Sequence, residues 1–197
     1  MSPRNEEQNM QIKDERREQI LSAALKVFAK KGFAASKISD IVAAAGVSHG
    51  LFYHYFKSKE DVFYELLKLA ITSSTQAILM VNNMPISPLE KVRQTAKYIL
   101  GGIESFEDSA YYFLIVIHAF VMDAPAEIKA LTENPNLQIF SKIVRDGQQT
   151  GEIREGDPDG MTMTFFAAIQ GLAMYKLALQ NFKMPDPEIL VSMLRKA

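Results

Sequence analysis

Apolar positions recur along the chain at spacings of three and four residues, the period that gathers them on one side of a helix. Within residues 14–31, Ile20, Ala23, Ala24, Val27 and Phe28 stand at i, i+3, i+4, i+7 and i+8, with Lys30 and Lys31 in the last turn and Gly32 as a stop. A shorter repeat follows in Ile38, Ile41, Val42 and Ala45; Ser36 is placed to cap it and Gly46 to end it. Val47 and Ser48 complete a tight turn, and Ser48 can cap a third helix from His49 to about Tyr55. "KSKED" opens a fourth, with Ser58 as cap and Asp61 three residues on, running to about Met80. "NNMPISP" at 82–88 is the clearest break. Beyond it the pattern predicts helices near 88–104, 108–122, 126–150, 159–181 and 186–196, punctuated by "DAPAE", "GEIREGDPDG" and "KMPDPE". No window alternates with β-branched enrichment, and no internal repeat or low-complexity segment is present. The fold expected is all-α.

Composition narrows this picture. A chain of 197 residues, 48% apolar and 23% charged, has material for one medium domain or two small ones and an ample core. With no cysteine, disulfides and thiolate metal sites are excluded. "MSPRNEEQNM" lacks the apolar stretch of a signal peptide. The longest nearly uncharged apolar run, "YYFLIVIHAFVM" at 111–122, falls short of the about 20 residues a bilayer requires, and a histidine interrupts it. A cytoplasmic location is expected. Net charge is −1 overall, but residues 1–60 carry a balance of +3 and the remainder −4. A mildly basic N-terminal part joined to an acidic remainder permits polyanion binding at one end.

Chemistry concentrates in "GVSHGLFYHYFKSKED", residues 46–61, where no acid appears until the end. Two short helices joined by a tight Gly-containing turn make a helix-turn-helix, about 37–56, whose second helix enters the DNA major groove with its N-terminal residues at base edges. Phe52 and Phe56 share a face and are expected to pack on Ile41, Val42 and the first helix. His49, Tyr53 and Lys57 share another, outward by elimination, that offers donors without acids. A metal reading is poor: His49 and His54 are five residues apart, on different faces, and no Cys or Glu completes a site.

The stretch "ILSAALKVFAKKGFAASKISDIVAAAGVSHGLFYHYFKSKEDVFYELL" at 20–67 resembles the DNA-binding domain of the TetR (tetracycline repressor) family. That family's pattern is an Ile/Ala/Phe first helix, a Gly-aromatic break, an "I-A-x-x-A-G-V-S" second helix, a "G-x-L-Y-x-x-F" recognition helix and a following "K-x-K", where this chain reads "IVAAAGVS", "GLFYHYF" and "KSK". The likeness covers about residues 14–74, and a second domain, 75–197, is expected to bind an effector and dimerise, as in that family. The resemblance implies phosphate contacts at Ser36 or Lys37, base reading by His49 beside Ser48, close approach at Gly50, and phosphate contacts from Tyr53 and Lys59. His54 is taken as a DNA contact in preference to plain surface. Tyr55 fits the core edge and a phosphate contact equally. Lys57 joins the set through the outward face. His49 stands where Lys or Arg is common in the family, Leu51 replaces a frequent Thr or Ala and either meets a thymine methyl or packs, and Val42 replaces the usual Ala.

In the second domain the family keeps a cavity. His118 is a candidate to orient an effector there, with Tyr98, Phe106, Tyr111, Tyr112, Met122, Phe165, Phe166, Gln170 and Tyr175 as candidate walls; each is also compatible with plain packing. Gly101-Gly102 inside a helix suggests a kink or a pocket edge. "MTMTFFAAIQGLAMYKLAL" at 161–179 is apolar around much of its circumference, and the resemblance assigns it to a four-helix dimer bundle, the alternative being the central helix of a monomer. The expected function is a homodimeric, one-component transcriptional regulator, a repressor released from a pseudo-palindromic operator by a mostly apolar effector. No cofactor, metal, membrane or enzymatic activity is expected. The alternatives are a helical small-molecule carrier, or a DNA-binding regulator controlled by a protein partner.

Overall fold

The computed structural model describes residues 3–121 and 135–197. The described elements are α1 (Pro3–Lys31), α2 (Ile38–Ala45), α3 (His49–Tyr55), α4 (Lys59–Asn82), α5 (Pro88–Ser105), α6 (Glu107–Val121), α7 (Pro135–Gln149), α8 (Pro158–Ala178) and α9 (Pro187–Ser192). Among the described residues there is no strand, and the all-α expectation holds. No helix there is long and apolar enough to cross a membrane.

The helix starts follow from side-chain caps. Ser48, Ser58 and Ser87 accept from the backbone N–H groups of Leu51, Asp61 and Glu90, and Asp157 and Asp186 do the same for α8 and α9. Several limits depart from expectation. α1 begins at Pro3 rather than near 14: proline suits a first helical position, and Glu and Gln propagate a helix without an apolar face. Ser36 does not cap α2. Its hydroxyl donates back to the Gly32 carbonyl at 2.6 Å, and Lys37 is the cap residue, its N–H held by the Asp40 carboxylate at 3.0 Å. α9 is far shorter than 186–196, because the backbone beyond it pairs with the turn after α7: Arg154 N–H donates to Leu194 O at 2.9 Å and Lys196 N–H to Glu152 O at 3.0 Å. The expected helix start near 126 lies outside the described residues, as does Met122.

Two apolar cores form. The first joins α1–α4, with Phe28, Phe33 and Phe63 in mutual ring contact, and takes Tyr111, Ile115 and Ala119 from one face of α6. The second joins Ile78 of α4 with α5, Ala110 of α6, α7, α8 and α9. α6 thus lies between them, and Lys26 pairs with Asp108 at 3.4 Å across α1 and α6. α4 runs unbroken through the expected domain boundary at 74–75.

Candidate nucleic-acid interface

The motif is built from its turn outward. Gly46 takes φ +64°, the left-handed conformation that favours glycine, and its N–H donates to Ala43 O at 3.3 Å while Val47 N–H donates to Val42 O at 3.1 Å. This stops α2 and turns the chain into α3 within three residues. α3 then buries Phe52 and Phe56 against Ile41, Val42 and α1, as the spacing predicted. The opposite face carries His49, Gly50, Tyr53 and His54, all exposed, with Lys57 just beyond the helix. The Tyr53 ring stands edge-on to Phe52 at 5.6 Å and is 55% exposed. A Cβ on Gly50 would meet only Ser48 Oγ at 3.9 Å, so the helix start is open to close approach. Leu51 and Tyr55 are half-buried, and Tyr55 packs against the first core. Lys37 is exposed at the start of α2. No acidic side chain interrupts this face from Ser48 to Lys59.

Two residues of the predicted DNA set are differently placed. Ser36 is 2% exposed and spends its hydroxyl on Gly32, so its side chain does not reach the surface. Lys59 turns inward: its Nζ donates to Phe33 O at 3.0 Å and Ser36 O at 2.9 Å, and lies 4.5 Å from the Phe33 ring centre. Other residues that hold the motif had no signal in the helical pattern. Gln19 Nε2 donates to Ala45 O at 2.6 Å, tying α1 to the end of α2. Arg17 pairs with Glu65 and sits 5.4 Å over the Phe56 ring, fixing the end of α3. Asp40, bonded by Lys31 and by the Lys37 N–H, has its carboxyl pulled below the usual carboxylate range.

Among the described residues the effector candidates do not gather into one wall. Tyr98, Phe106 and Tyr175 are 59%, 67% and 57% exposed. Tyr111 belongs to the first core and Phe165 to the second, where it stacks on Phe140 at 4.6 Å, with Phe166 edge-on to the same ring. Tyr112, His118 and Gln170 are half-buried. Burial, and secondarily Asp108, raises the Tyr112 phenol above its ordinary range. A Cβ on Gly101 or Gly102 would meet nothing within 4 Å, and Gly101 faces solvent. A pocket of about 460 Å³ lies elsewhere, between α7 and α8, lined by Leu137, Gln138, Arg145, Asp159, Thr162 and Met163. Among the described residues no group of three His, Cys, Asp or Glu is arranged to hold a metal.

A capped short helix, offered outward on a sharp turn with donors and no acids, on a three-helix base, defines a helix-turn-helix module of the DNA-binding class. The comparisons agree: residues 20–66 match the family model for bacterial regulatory proteins of the tetR family. The fatty acid metabolism regulator protein of Bacillus subtilis is 30% identical over 143 residues, covering 70% of this chain and 71% of that protein. The chain belongs to the tetR family. Two solved structures share its fold at low identity. The ketosteroid transcriptional regulator KstR2 of Mycobacterium tuberculosis has a TM-score of 0.78 at 18% identity, over 92% of this chain and 96% of that one. The complex of AibR with isovaleryl coenzyme A and operator DNA has a TM-score of 0.70 at 16% identity, over 90% and 94%. Other curated relatives are longer: the chain matches 40% of the transcriptional regulator YerO of Bacillus subtilis, at 30% identity over 59% of this chain.

Proposed function

We propose that this chain is a homodimeric, cytoplasmic, sequence-specific DNA-binding repressor. In this reading residues 14–74 bind an operator, and residues 75–197 dimerise and receive a mostly apolar small-molecule effector. The observation that carries it is the division of labour on α3: Phe52 and Phe56 satisfy the core, leaving His49, Gly50, Tyr53, His54 and Lys57 outward and free of acids. A helix read at its N-terminal end puts His49 at base edges, with Tyr53, Lys57 and Lys37 toward phosphates.

The dimer is supported by α8, whose exposed face carries Met163, Ala167 and Met174, apolar area that a monomer leaves wet. Two-fold symmetry then implies an operator of two inverted half-sites about one helical turn apart or slightly more. The effector class is supported by the aromatic and Met-rich second domain, and for its apolar part by the isovaleryl group of the coenzyme A thioester with which AibR, a fold neighbour, was solved on operator DNA. Release follows from differential affinity of the effector for two subunit arrangements, only one of which matches the half-site spacing.

The test is selection of binding sequences from a random duplex pool with the purified protein at moderate salt. Enrichment of one inverted repeat is expected, lost when Tyr53 and Lys57 are changed to Ala. A folded protein that enriches nothing at any salt refutes the regulator reading.

A further inference from the structure

The first residue of α4 is a lysine, an awkward choice, since the positive end of a helix disfavours a cation. The geometry explains it. The Lys59 ammonium turns away from its own helix toward the loop between α1 and α2, where Phe33 O (3.0 Å), Ser36 O (2.9 Å) and Ala34 O (3.5 Å) converge on it. An ammonium has three donor hydrogens, and these three carbonyls take them all. The Phe33 ring closes the site from another side, 4.5 Å from Nζ. Phe33 in turn packs on Phe63 of α4 and Phe28 of α1, so the charge sits at the junction of three elements.

We infer that Lys59 is a positioning residue for DNA recognition and makes no phosphate contact of its own. This rests on the DNA-binding reading above. Residues 32–37 lead directly into α2, and Lys37, whose N–H the Asp40 carboxylate holds, is the last residue before it. Lys59 fixes the entry to α2 as Gln19 fixes its exit at Ala45. Since α2 carries α3 on the turn at Gly46, these two anchors set where the recognition helix stands relative to the rest of the module. A phosphate contact would require Lys59 to surrender a carbonyl and release the loop.

Three roles predict different behaviour, read with the protein's selected operator duplex and a scrambled duplex of equal length. A phosphate contact contributes to counterion release, so its removal lowers the slope of log affinity against log salt by about one per contact. A positioning residue leaves that slope unchanged but lowers the ratio of operator to scrambled affinity, because base readout depends on register and phosphate attraction does not. A residue that only stabilises the fold changes neither.

The variant is Lys59→Met, which keeps a long stem over Phe33 and removes charge and donors. Lys57→Ala serves as the exposed control. The result expected is a specificity ratio reduced by roughly tenfold at unchanged salt slope for Lys59→Met, and the reverse for Lys57→Ala. Lys59→Arg separates the roles again without loss of charge. A planar guanidinium replaces an ammonium at phosphate but does not reproduce three donors converging on one point, so specificity stays reduced in Lys59→Arg if the role is positioning. A slope lowered by about one with the ratio kept overturns the proposal. So does a change in thermal stability alone. A wild-type protein that binds no duplex at all overturns the regulator reading instead, which the wild-type arm reports before any variant is compared.

Discussion

Tyr53 and Phe52 are neighbours on α3 with opposite fates, and that contrast makes the sharpest prediction. Tyr53→Phe removes one hydroxyl from a ring that is 55% exposed and keeps its edge contact with Phe52. Stability is expected to stay within about 0.5 kcal/mol of wild type, as for surface changes generally. A hydrogen bond from a neutral donor to a charged acceptor is worth about 1.5 kcal/mol at the lower end. A dimer presents two recognition helices, which doubles this to about 3 kcal/mol, a loss of roughly 150-fold in operator affinity. Phe52→Ala does the opposite. That side chain is fully buried, and its truncation costs about 3–5 kcal/mol of folding free energy, lowering the unfolding midpoint by more than about 6 °C. The assays are fluorescence anisotropy on a selected duplex at fixed salt, and thermal unfolding at matched protein concentration. An affinity for Tyr53→Phe within about threefold of wild type refutes a phosphate contact at this hydroxyl. A fall in stability comparable to that of Phe52→Ala refutes the assignment of faces.

Glycines of two kinds respond oppositely to alanine. Gly102→Ala in α5 meets nothing within 4 Å and is expected to stabilise by about 0.5–1 kcal/mol, whereas Gly147→Ala in α7 puts a Cβ 2.4 Å from Ile153 Cδ1 and is expected to destabilise by about 1–3 kcal/mol; denaturant midpoints report both, and equal signs refute the packing described. Gly46→Ala forces a side chain into φ +64° and is expected to cost about 1–2 kcal/mol, checked by the same titration. Asp40, Glu90 and Glu104 have their carboxyls held below the ordinary range, by Lys31, by Gln94 with Arg93, and by Lys176. Their folded pKa values lie below the unfolded ones, so the stability they lend is complete above about pH 5 and is lost as pH falls through the folded values. Asp40→Asn is therefore expected to differ most from wild type near neutrality and to converge with it in strong acid; an unfolding midpoint difference that persists unchanged at about pH 2 counts against this account.

The fold was legible where local chemistry decides it. Ser48 and Ser58 cap the helices they precede, and Gly46 ends α2, because a cap is an interaction between residues two or three apart; Ser36, read in the same way, instead donates to the Gly32 carbonyl. Where distant segments of the chain decide, the pattern misled, as in the helix expected over 186–196. The shortening of α9 depends on Arg154 and Lys196 meeting backbone partners about 40 residues away in sequence. The division of α3 into an inner and an outer face was readable because four residues separate Phe52 from Phe56. The direction of Lys59 was not, since nothing in "KSKED" records that three carbonyls after α1 lie within reach. Aromatic identity likewise does not disclose exposure. Tyr98 and Phe165 are both helical aromatics, yet one is 59% exposed and the other fully buried.

The position of α6 connects the two cores physically. Tyr111, Ile115 and Ala119 repeat at four-residue intervals and pack with α1–α4, while Ala110 lies in the second core with α5, α7 and α8. Close-packed cores do not deform smoothly, so a shift of α6 along or about its axis must find a second packing or none. The Lys26–Asp108 pair at its start is exposed enough to break at little cost. The buried triad Tyr111, Ile115 and Ala119 therefore decides which arrangements the first core accepts. Under the proposed function, an occupant of the second domain acts on DNA affinity only if it favours one of those arrangements over the other, and by no more than that difference in its own binding free energy. That bound sets the scale of regulation: a hundredfold release from the operator requires about 2.7 kcal/mol of differential effector affinity across the dimer.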